Sequence, residues 1–182
     1  MKLITFLGRI IFIITLLFAL LITGCDSGSD DTELGDSWLK IAGEEYSMAK
    51  LKITNDGESS VPGVYEHYVT ISSENLDLSE GTGSGEAITV VLFSTSNDLP
   101  QDDYDFSSGD PESGKFISSI TYDAYILTDF VFPDPDPTEY QITGGTITVN
   151  IIDTTYYISG NVDTDGGAAA FRYVGKATVV GE

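Results

Sequence analysis

The chain has one cysteine and one histidine among 182 residues. A single cysteine, Cys25, excludes an internal disulfide, so the fold must be stabilised by its hydrophobic core. The only histidine is His67, in Tyr65-Glu66-His67-Tyr68. A zinc site needs several nitrogen or sulfur ligands, so we do not expect one, and imidazole-activated nucleophilic catalysis could use this residue alone. Strand alternation places His67 beside Tyr65 and Val69, and we expect an exposed or edge-strand histidine with a structural role.

Basic residues are also scarce. Eight Lys and Arg stand against 29 Asp and Glu, which gives a formal net charge of −21. Such a charge repels polyanions and anionic lipid headgroups. The composition therefore predicts no nucleic-acid partner and no direct electrostatic attraction to a membrane surface.

The first 24 residues have the organisation of a secretion signal. Residues 1–9 contain Lys2 and Arg9 but no acidic residue, and the thirteen residues of 10–22 are apolar apart from Thr15. A bilayer-spanning helix needs about 20 apolar residues, so this run favours a signal peptide over a permanent anchor.

The apolar run ends in Leu21-Ile22-Thr23-Gly24-Cys25, which resembles the lipobox of bacterial lipoprotein precursors. The resemblance implies a diacylglyceryl group on the sulfur of Cys25, cleavage between Gly24 and Cys25, and acylation of the new amino terminus, typically with palmitate. Such chains anchor a protein because each buried methylene contributes about 0.8 kcal/mol. The alternatives are a buried thiol behind a cleaved signal or an uncleaved membrane helix, and both leave the following domain outside the cytoplasm.

We therefore divide the chain into a signal peptide (1–24), a flexible acidic tether (25–36) and a single β-domain (37–182). Cleavage would leave six basic and 29 acidic residues, a formal charge of −23, so the acyl chains on Cys25 must supply the membrane attachment. Within the tether, Ser29-Asp30-Asp31 resembles the acidic export signal of Bacteroidota-type surface lipoproteins, whereas Asp26 resembles an inner-membrane retention signal. A solvated spacer is the plain alternative. We favour the outer membrane or the cell surface.

From Trp38 onward, turn residues separate short runs rich in Thr, Val, Ile and Tyr, which predicts strands. The clearest are three C-terminal runs separated by the Asp153-Thr154 and Asp165-Gly166-Gly167 turns, which predict an antiparallel meander. Their inward residues are Ile147, Val149, Ile151, Tyr156, Ile158, Gly160, Val162, Phe171, Tyr173, Ala177 and Val179. Earlier strands are predicted over 38–42, 45–54, 65–72, 87–94, 115–122 and 124–130, with a short helix as the alternative within 45–53.

Eight to nine antiparallel strands must close or stack to cover their edges. We predict an all-β domain whose meander closes into an up-and-down barrel, with a β-sandwich as the alternative. Residues 144–149, 156–158 and 165–167 resemble the last strands of small surface lipoproteins with lipocalin-like barrels, and the resemblance extends to 90–93 and 103–106. It implies a binding or structural module and supplies no catalytic residue.

Carboxylates crowd two places at which calcium, which prefers oxygen ligands, is worth considering. One set comprises Asp98, Asp102, Asp103 and Asp105. The other, Asn161-x-Asp163-x-Asp165-Gly166, matches the start of a calcium loop, but Arg172 stands where that loop needs a bidentate glutamate. A hairpin end explains the spacing, so we predict no metal and no cofactor, with Asp163 and Asp165 as weak calcium candidates.

Two further segments favour structural explanations. Gly81-Thr82-Gly83-Ser84-Gly85 lacks the lysine and the helix of a phosphate-binding loop, so we expect a flexible connection between strands. The proline-rich segment 132–137 is expected to be a stiff connector or the rim of a binding mouth.

Ten tyrosines and one tryptophan leave room for a face that stacks against sugars. Tyr157, Tyr122 and Tyr140 are the surface candidates, whereas Tyr156 and Tyr173 are assigned to the core.

These patterns favour a non-enzymatic, lipid-anchored, monomeric β-domain for interaction or for binding a glycan or other small ligand. A small carboxylate-based glycan hydrolase is one alternative, because it needs only two carboxylates about 5 to 9.5 Å apart. A structural envelope protein is the other.

Lipid anchoring gives the first prediction. Protein extracted from membranes should have the intact mass of residues 25–182 plus diacylglyceryl and acyl groups, because Cys25 carries them. The same protein with Cys25→Ser should lack these groups. An uncleaved or unmodified chain would contradict the prediction.

Overall fold

The computed structural model describes residues 37–117, 124–133 and 136–181. All regular structure in these residues is strand, which confirms the all-β prediction, and none of their segments is a helix long and apolar enough to cross a bilayer. The predicted signal peptide, Cys25 and the tether lie outside the described residues. The strands are β1 (Trp38–Ile41), β2 (Glu44–Ser47), β3 (Lys50–Glu58), β4 (Tyr65–Ser72), β5 (Leu76–Asp77), β6 (Thr82–Ser94), β7 (Asp102–Ser107), β8 (Lys115–Ile117), β9 (Tyr125–Val131), β10 (Thr138–Ile152), β11 (Thr155–Thr164), β12 (Gly167–Gly175) and β13 (Ala177–Gly181).

Five of these strands form a closed ring. β6 pairs with β8, β8 with β7, β7 with β10, β10 with β9, and β9 pairs back with β6. The β7–β8 pair is parallel and the other four pairs are antiparallel, so the ring is a mixed barrel. Closing the ring gives its strands hydrogen-bonded neighbours on both sides.

Two groups of strands extend from the barrel. β4, β3 and β13 continue from β6, whereas β11, β12, β1 and β2 continue from β10. β13 follows β12 after a single intervening residue, Lys176, yet it pairs in parallel with β3. The chain therefore passes at Lys176 from one flank of the sheet to the other.

β6 is buried on both of its faces, which explains its nearly continuous apolar run. Ile88, Val90 and Leu92 belong to the main core, to which ten of the strands contribute. The opposite face of β6 carries Val91 and Phe93, which pack with a smaller cluster. Alternation of apolar and polar residues therefore identifies the buried face of a half-exposed strand such as β11. It does not do so for β6, because both faces of that strand are buried.

The C-terminal meander is confirmed. β10 pairs with β11 and β11 with β12, both antiparallel, around turns at Asp153–Thr154 and Asp165–Gly166. Ile147, Ile158 and Phe171 are buried as predicted.

Three details of the predicted strand order are wrong. The run 45–54 is two strands separated by Met48 and Ala49, because β2 pairs with β1 whereas β3 pairs with β4. The last predicted strand breaks at Lys176, and Val179, which was assigned to the core, is 50% exposed. The parallel β7–β8 and β13–β3 pairs depart from a purely antiparallel order.

A close approach of two strands depends on Gly145. This residue has φ +115°, and a Cβ there would lie 2.2 Å from the carbonyl oxygen of Asn161 on β11. Gly167 has the same φ, but a Cβ there would meet nothing within 4 Å. A side chain at Gly167 would therefore add backbone strain alone, whereas one at Gly145 would add both backbone strain and a steric clash.

Gly145→Ala should destabilise the domain more than Gly167→Ala does. Both changes impose a strained backbone that costs about 1–3 kcal/mol. Gly145→Ala adds an overpacking cost of about 1–3 kcal/mol, because the obstructing atoms are backbone. Urea unfolding of the two variants measures the difference, and equal losses of unfolding free energy would contradict the assignment.

Candidate functional site

An open groove of about 490 Å³ lies along β13, β3 and β4, on the face opposite the main core. Lys50 and Lys52 of β3 line it and alternate with Leu51 and Ile53, which are buried in that core. The segment 76–79, which contains β5, also lines it. We call this cavity the lysine groove.

Strand register brings three lysines to the lysine groove. Lys52 lies between Thr70 of β4 and Thr178 of β13 in the paired strands. Lys50 lies opposite Ser72, and Lys176, directly before β13, completes the set. Because β13 and β3 are parallel and in register, a residue near the C-terminus joins two residues from the start of the domain.

The ammonium groups of this groove contact neutral oxygens. Lys50 Nζ donates to the carbonyl oxygen of Leu76 at 3.3 Å, and Lys52 Nζ donates to Ser79 Oγ at 2.9 Å. Elsewhere, Lys40 pairs with Glu45 at 3.2 Å and Lys115 with Asp105 at 3.5 Å. Within the described part of the chain, the groove lysines thus have no carboxylate within 4 Å.

One carboxylate, Asp77, lines the lysine groove. Its Oδ1 accepts hydrogen bonds from the backbone N–H groups of Ser79 at 2.9 Å and Glu80 at 3.0 Å. The Glu80 N–H is the main cause of a lowered Asp77 pKa, and Lys50 and Lys52 lower it further. Asp77 is therefore an ionised group whose principal role is to hold the segment 76–80 in place.

A second polar cluster lies on the core-facing side of β3, β4 and β6. Asn55, His67 and Ser94 occupy the inner faces of β3, β4 and β6, in line with the core residues of each strand. His67 Nδ1 is 2.8 Å from Asn55 Oδ1, and His67 Nε2 is 2.8 Å from Ser94 Oγ. The order of groups and the distances resemble a serine hydrolase triad, except that Asn55 stands where such a triad has an aspartate or glutamate.

Enclosure gives this cluster a structural role. The three residues are 6%, 0% and 1% exposed in chain order, so a substrate has no access to the Ser94 hydroxyl. Ser94 Oγ also lies 2.9 Å from the carbonyl oxygen of Ser96, so its single proton has two alternative acceptors, that carbonyl and His67 Nε2. The prediction of a structural histidine is supported, but an exposed or edge position is wrong, because β4 is paired on both sides by β3 and β6.

Comparison with known protein families, characterised proteins and solved structures finds no match for this chain.

The two weak calcium candidates, Asp163 and Asp165, lie in the β11–β12 hairpin. Asp165 Oδ1 accepts from the backbone N–H of Gln141 at 3.0 Å and closes the β11–β12 turn against β10. Asp163 is exposed and lies opposite Ala168 in that hairpin. The described residues contain no group of three or more His, Cys, Asp or Glu side chains arranged to hold a metal ion.

The aspartates Asp103 and Asp105 of β7 accept hydrogen bonds from the neighbouring strand β10. Asp103 accepts from Thr148 Oγ1 at 2.6 Å and Asp105 from Thr146 Oγ1 at 3.1 Å. These exposed carboxylates therefore belong to the pairing of β7 with β10. Asp98 and Asp102 are exposed near them in sequence.

Glu86 is the described carboxylate with a raised pKa. Burial is the main cause, and the negative charge of Asp129 adds to it. Both residues lie where β6 and β9 change register, and Asp129 has φ +59°. Neither lines the lysine groove.

The tyrosine assignments are partly correct. Tyr173 is buried and Tyr156 packs against the main core, as predicted. Tyr140 packs against the same core while remaining partly exposed, and Tyr157 is half-buried. Tyr122 lies outside the described residues.

The structure describes the glycine-rich segment 81–85 and part of the proline-rich segment 132–137. Thr82–Gly85 belongs to β6, and its first two residues pair with β5, so the predicted flexible connection is wrong. A Cβ on Gly83 would lie 1.7 Å from the Asn75 carbonyl oxygen, which explains the glycine. Phe132 packs edge-on against Phe130, and residues 134–135 lie outside the described part.

Burial of His67 predicts a pH dependence of stability. Burial lowers the pKa of His67 from 6.5, and the Ser96 carbonyl and Asp98 offset only part of this effect. Below pH 6.5 the unfolded chain binds a proton that the folded chain does not. Stability is therefore complete above pH 6.5 and falls as the pH drops towards the lowered pKa.

His67→Gln should remove this component. Subtracting the unfolding free energies of the variant from those of the wild type isolates it from the titration of the carboxylates. The difference should decline below pH 6.5 by at most about 1.4 kcal/mol per pH unit. A difference that is constant between pH 5 and pH 7.5 would contradict the assignment.

Proposed function

We propose that this protein is an envelope lipoprotein whose β-domain binds a small ligand without catalysis, and that the lysine groove is the binding site. The observation that carries the proposal is the groove itself. Its volume of about 490 Å³ falls within the usual range for small-molecule sites. Its lining combines hydroxyl and ammonium donors with Leu78 and Val180, as ligand sites do.

The first described residue, Ser37, is hydrogen-bonded to residues that adjoin the lysine groove. Ser37 Oγ accepts from the Val174 N–H at 2.8 Å, and the Ser37 carbonyl accepts from the Met48 N–H at 3.1 Å. These partners are adjacent in sequence to Tyr173 and Ala49, which line the groove.

The likeness to lipocalin-like surface lipoproteins remains part of this proposal, but the proposed site lies on the outer face of the sheet. Tyr104, Phe116 and Phe171 fill the core, where a lipocalin would hold its ligand. We also propose a monomer, at the outer membrane or the cell surface.

The groove favours binding over hydrolysis by a carboxylate pair. Its single carboxylate, Asp77, has a lowered pKa, whereas a general acid needs a raised one. Glu86 beside Asp129 is the feature that best suits the hydrolase alternative, and that pair lies outside the groove.

A blocked groove should abolish ligand binding. Thr178→Trp places a large ring at an exposed position that lines the groove, and Ser159→Trp places one on an exposed part of β11 that does not. In a ligand-observed NMR screen of glycans, lipids and metabolites, hits for the wild type should persist with Ser159→Trp and disappear with Thr178→Trp. The protein is residues 25–182 with Cys25→Ser, which avoids lipidation.

Two results would contradict the proposed function. One is the absence of binding in every ligand class. The other is a set of hits that Thr178→Trp leaves unchanged, since these would bind elsewhere.

A further inference from the structure

We propose that the ligand of the lysine groove is an amphipathic anion, a small molecule in which a carboxylate, sulfate or phosphate is joined to an apolar body. This inference rests on the proposed function of the groove as a binding site. It adds the chemical class of the ligand and the side chains that recognise each half.

The distribution of positive charge supports the anionic half. Six basic residues follow residue 24, and all six are described. Three of them line this one groove, together with a single carboxylate, so the lining carries a formal charge of +2 in a domain whose charge is strongly negative. The other three are Lys40, Lys115 and Arg172.

The groove lysines retain hydrogen-bonding capacity. An ammonium group has three N–H donors, and Lys50 and Lys52 each direct one to a neutral oxygen of the segment 76–79. Asp77 is satisfied by two backbone N–H groups and does not ion-pair with either lysine within 4 Å. An anion in the groove would therefore find ammonium groups with free donors, and the lining as a whole keeps an excess of positive charge over the one carboxylate of Asp77.

Electrostatics also favours a small anion over a large one. Three like charges held on neighbouring strands repel one another, and a bound anion relieves this repulsion. The acidic surface outside the groove repels a polyanion over a wider area. A single anionic group that fits among the lysines gains the local attraction and meets little of the surrounding repulsion.

Apolar side chains in the lining of the groove support the apolar half of the proposed ligand. Leu78 and Val180 line the same cavity as the lysines, Leu78 is partly exposed, and Val180 is 45% exposed. A volume of about 490 Å³ is many times that of a water molecule, about 30 Å³. An inorganic anion would leave these apolar side chains exposed to water, whereas an apolar body would cover them.

A pair of fluorescent probes tests the charge requirement. 8-Anilinonaphthalene-1-sulfonate and N-phenyl-1-naphthylamine share an aromatic skeleton, and only the first carries an anion. We expect the sulfonate to bind at least about 10-fold more tightly, because ammonium groups bind anions through charge-assisted hydrogen bonds. Fluorescence titration of residues 25–182 with Cys25→Ser measures both affinities.

Variants of matched charge locate the effect. The double variant Lys52→Gln and Lys176→Gln should weaken sulfonate binding by about 10-fold while leaving the neutral amine within about 2-fold. The variant Lys52→Arg and Lys176→Arg should retain binding, which shows that the site still folds. The control Lys40→Gln and Arg172→Gln alters the net charge by the same amount away from the groove and should bind as the wild type does.

Competition tests the apolar requirement. Decanoate, below its micelle concentration, should displace the sulfonate, and inorganic phosphate at the same concentration should not. Equal displacement by the two would overturn the amphipathic part of the inference.

The outcomes separate the two levels of the proposal. Equal affinities for the two probes, both lost in Thr178→Trp, would overturn the anionic class and leave the groove as a binding site. Binding of neither probe, together with a ligand screen without hits, would overturn the proposed function as well.

Discussion

The backbone pairing of β6 is the constraint on which the rest of the structure depends. This thirteen-residue strand pairs with β4, β5, β8 and β9, and from Val90 to Ser94 its side chains are buried on both faces. Because buried N–H and C=O groups need partners, each neighbouring strand must remain in register with it. The ring closes through β6, and the flank of β4, β3 and β13, which forms the lysine groove, extends from it.

That flank determines the charge pattern of the protein. β3 directs Leu51 and Ile53 into the core, so Lys50 and Lys52 must lie on its other face. The parallel pairing of β13 then brings Lys176 to the same place. A domain with few basic residues thus acquires a local positive site without any change in its overall acidity, and the site has both charged and apolar lining.

The inner end of the same strands carries the buried polar cluster. Asn55, His67 and Ser94 continue the inward rows of β3, β4 and β6, and each is satisfied by its neighbours. Buried polar groups with all partners present fix a unique arrangement of strands. The cluster and the lysine groove therefore lie on opposite faces of the same paired strands.

Period-two alternation and turn residues predicted the all-β class, the C-terminal meander and most strand positions, because these patterns act over a few neighbouring residues. Tertiary structure decided the closed mixed barrel, the parallel pairs, the burial of His67 and the arrival of Lys176 at the groove. These features join residues far apart in the chain, and their energies come from pairing and packing that no local pattern encodes.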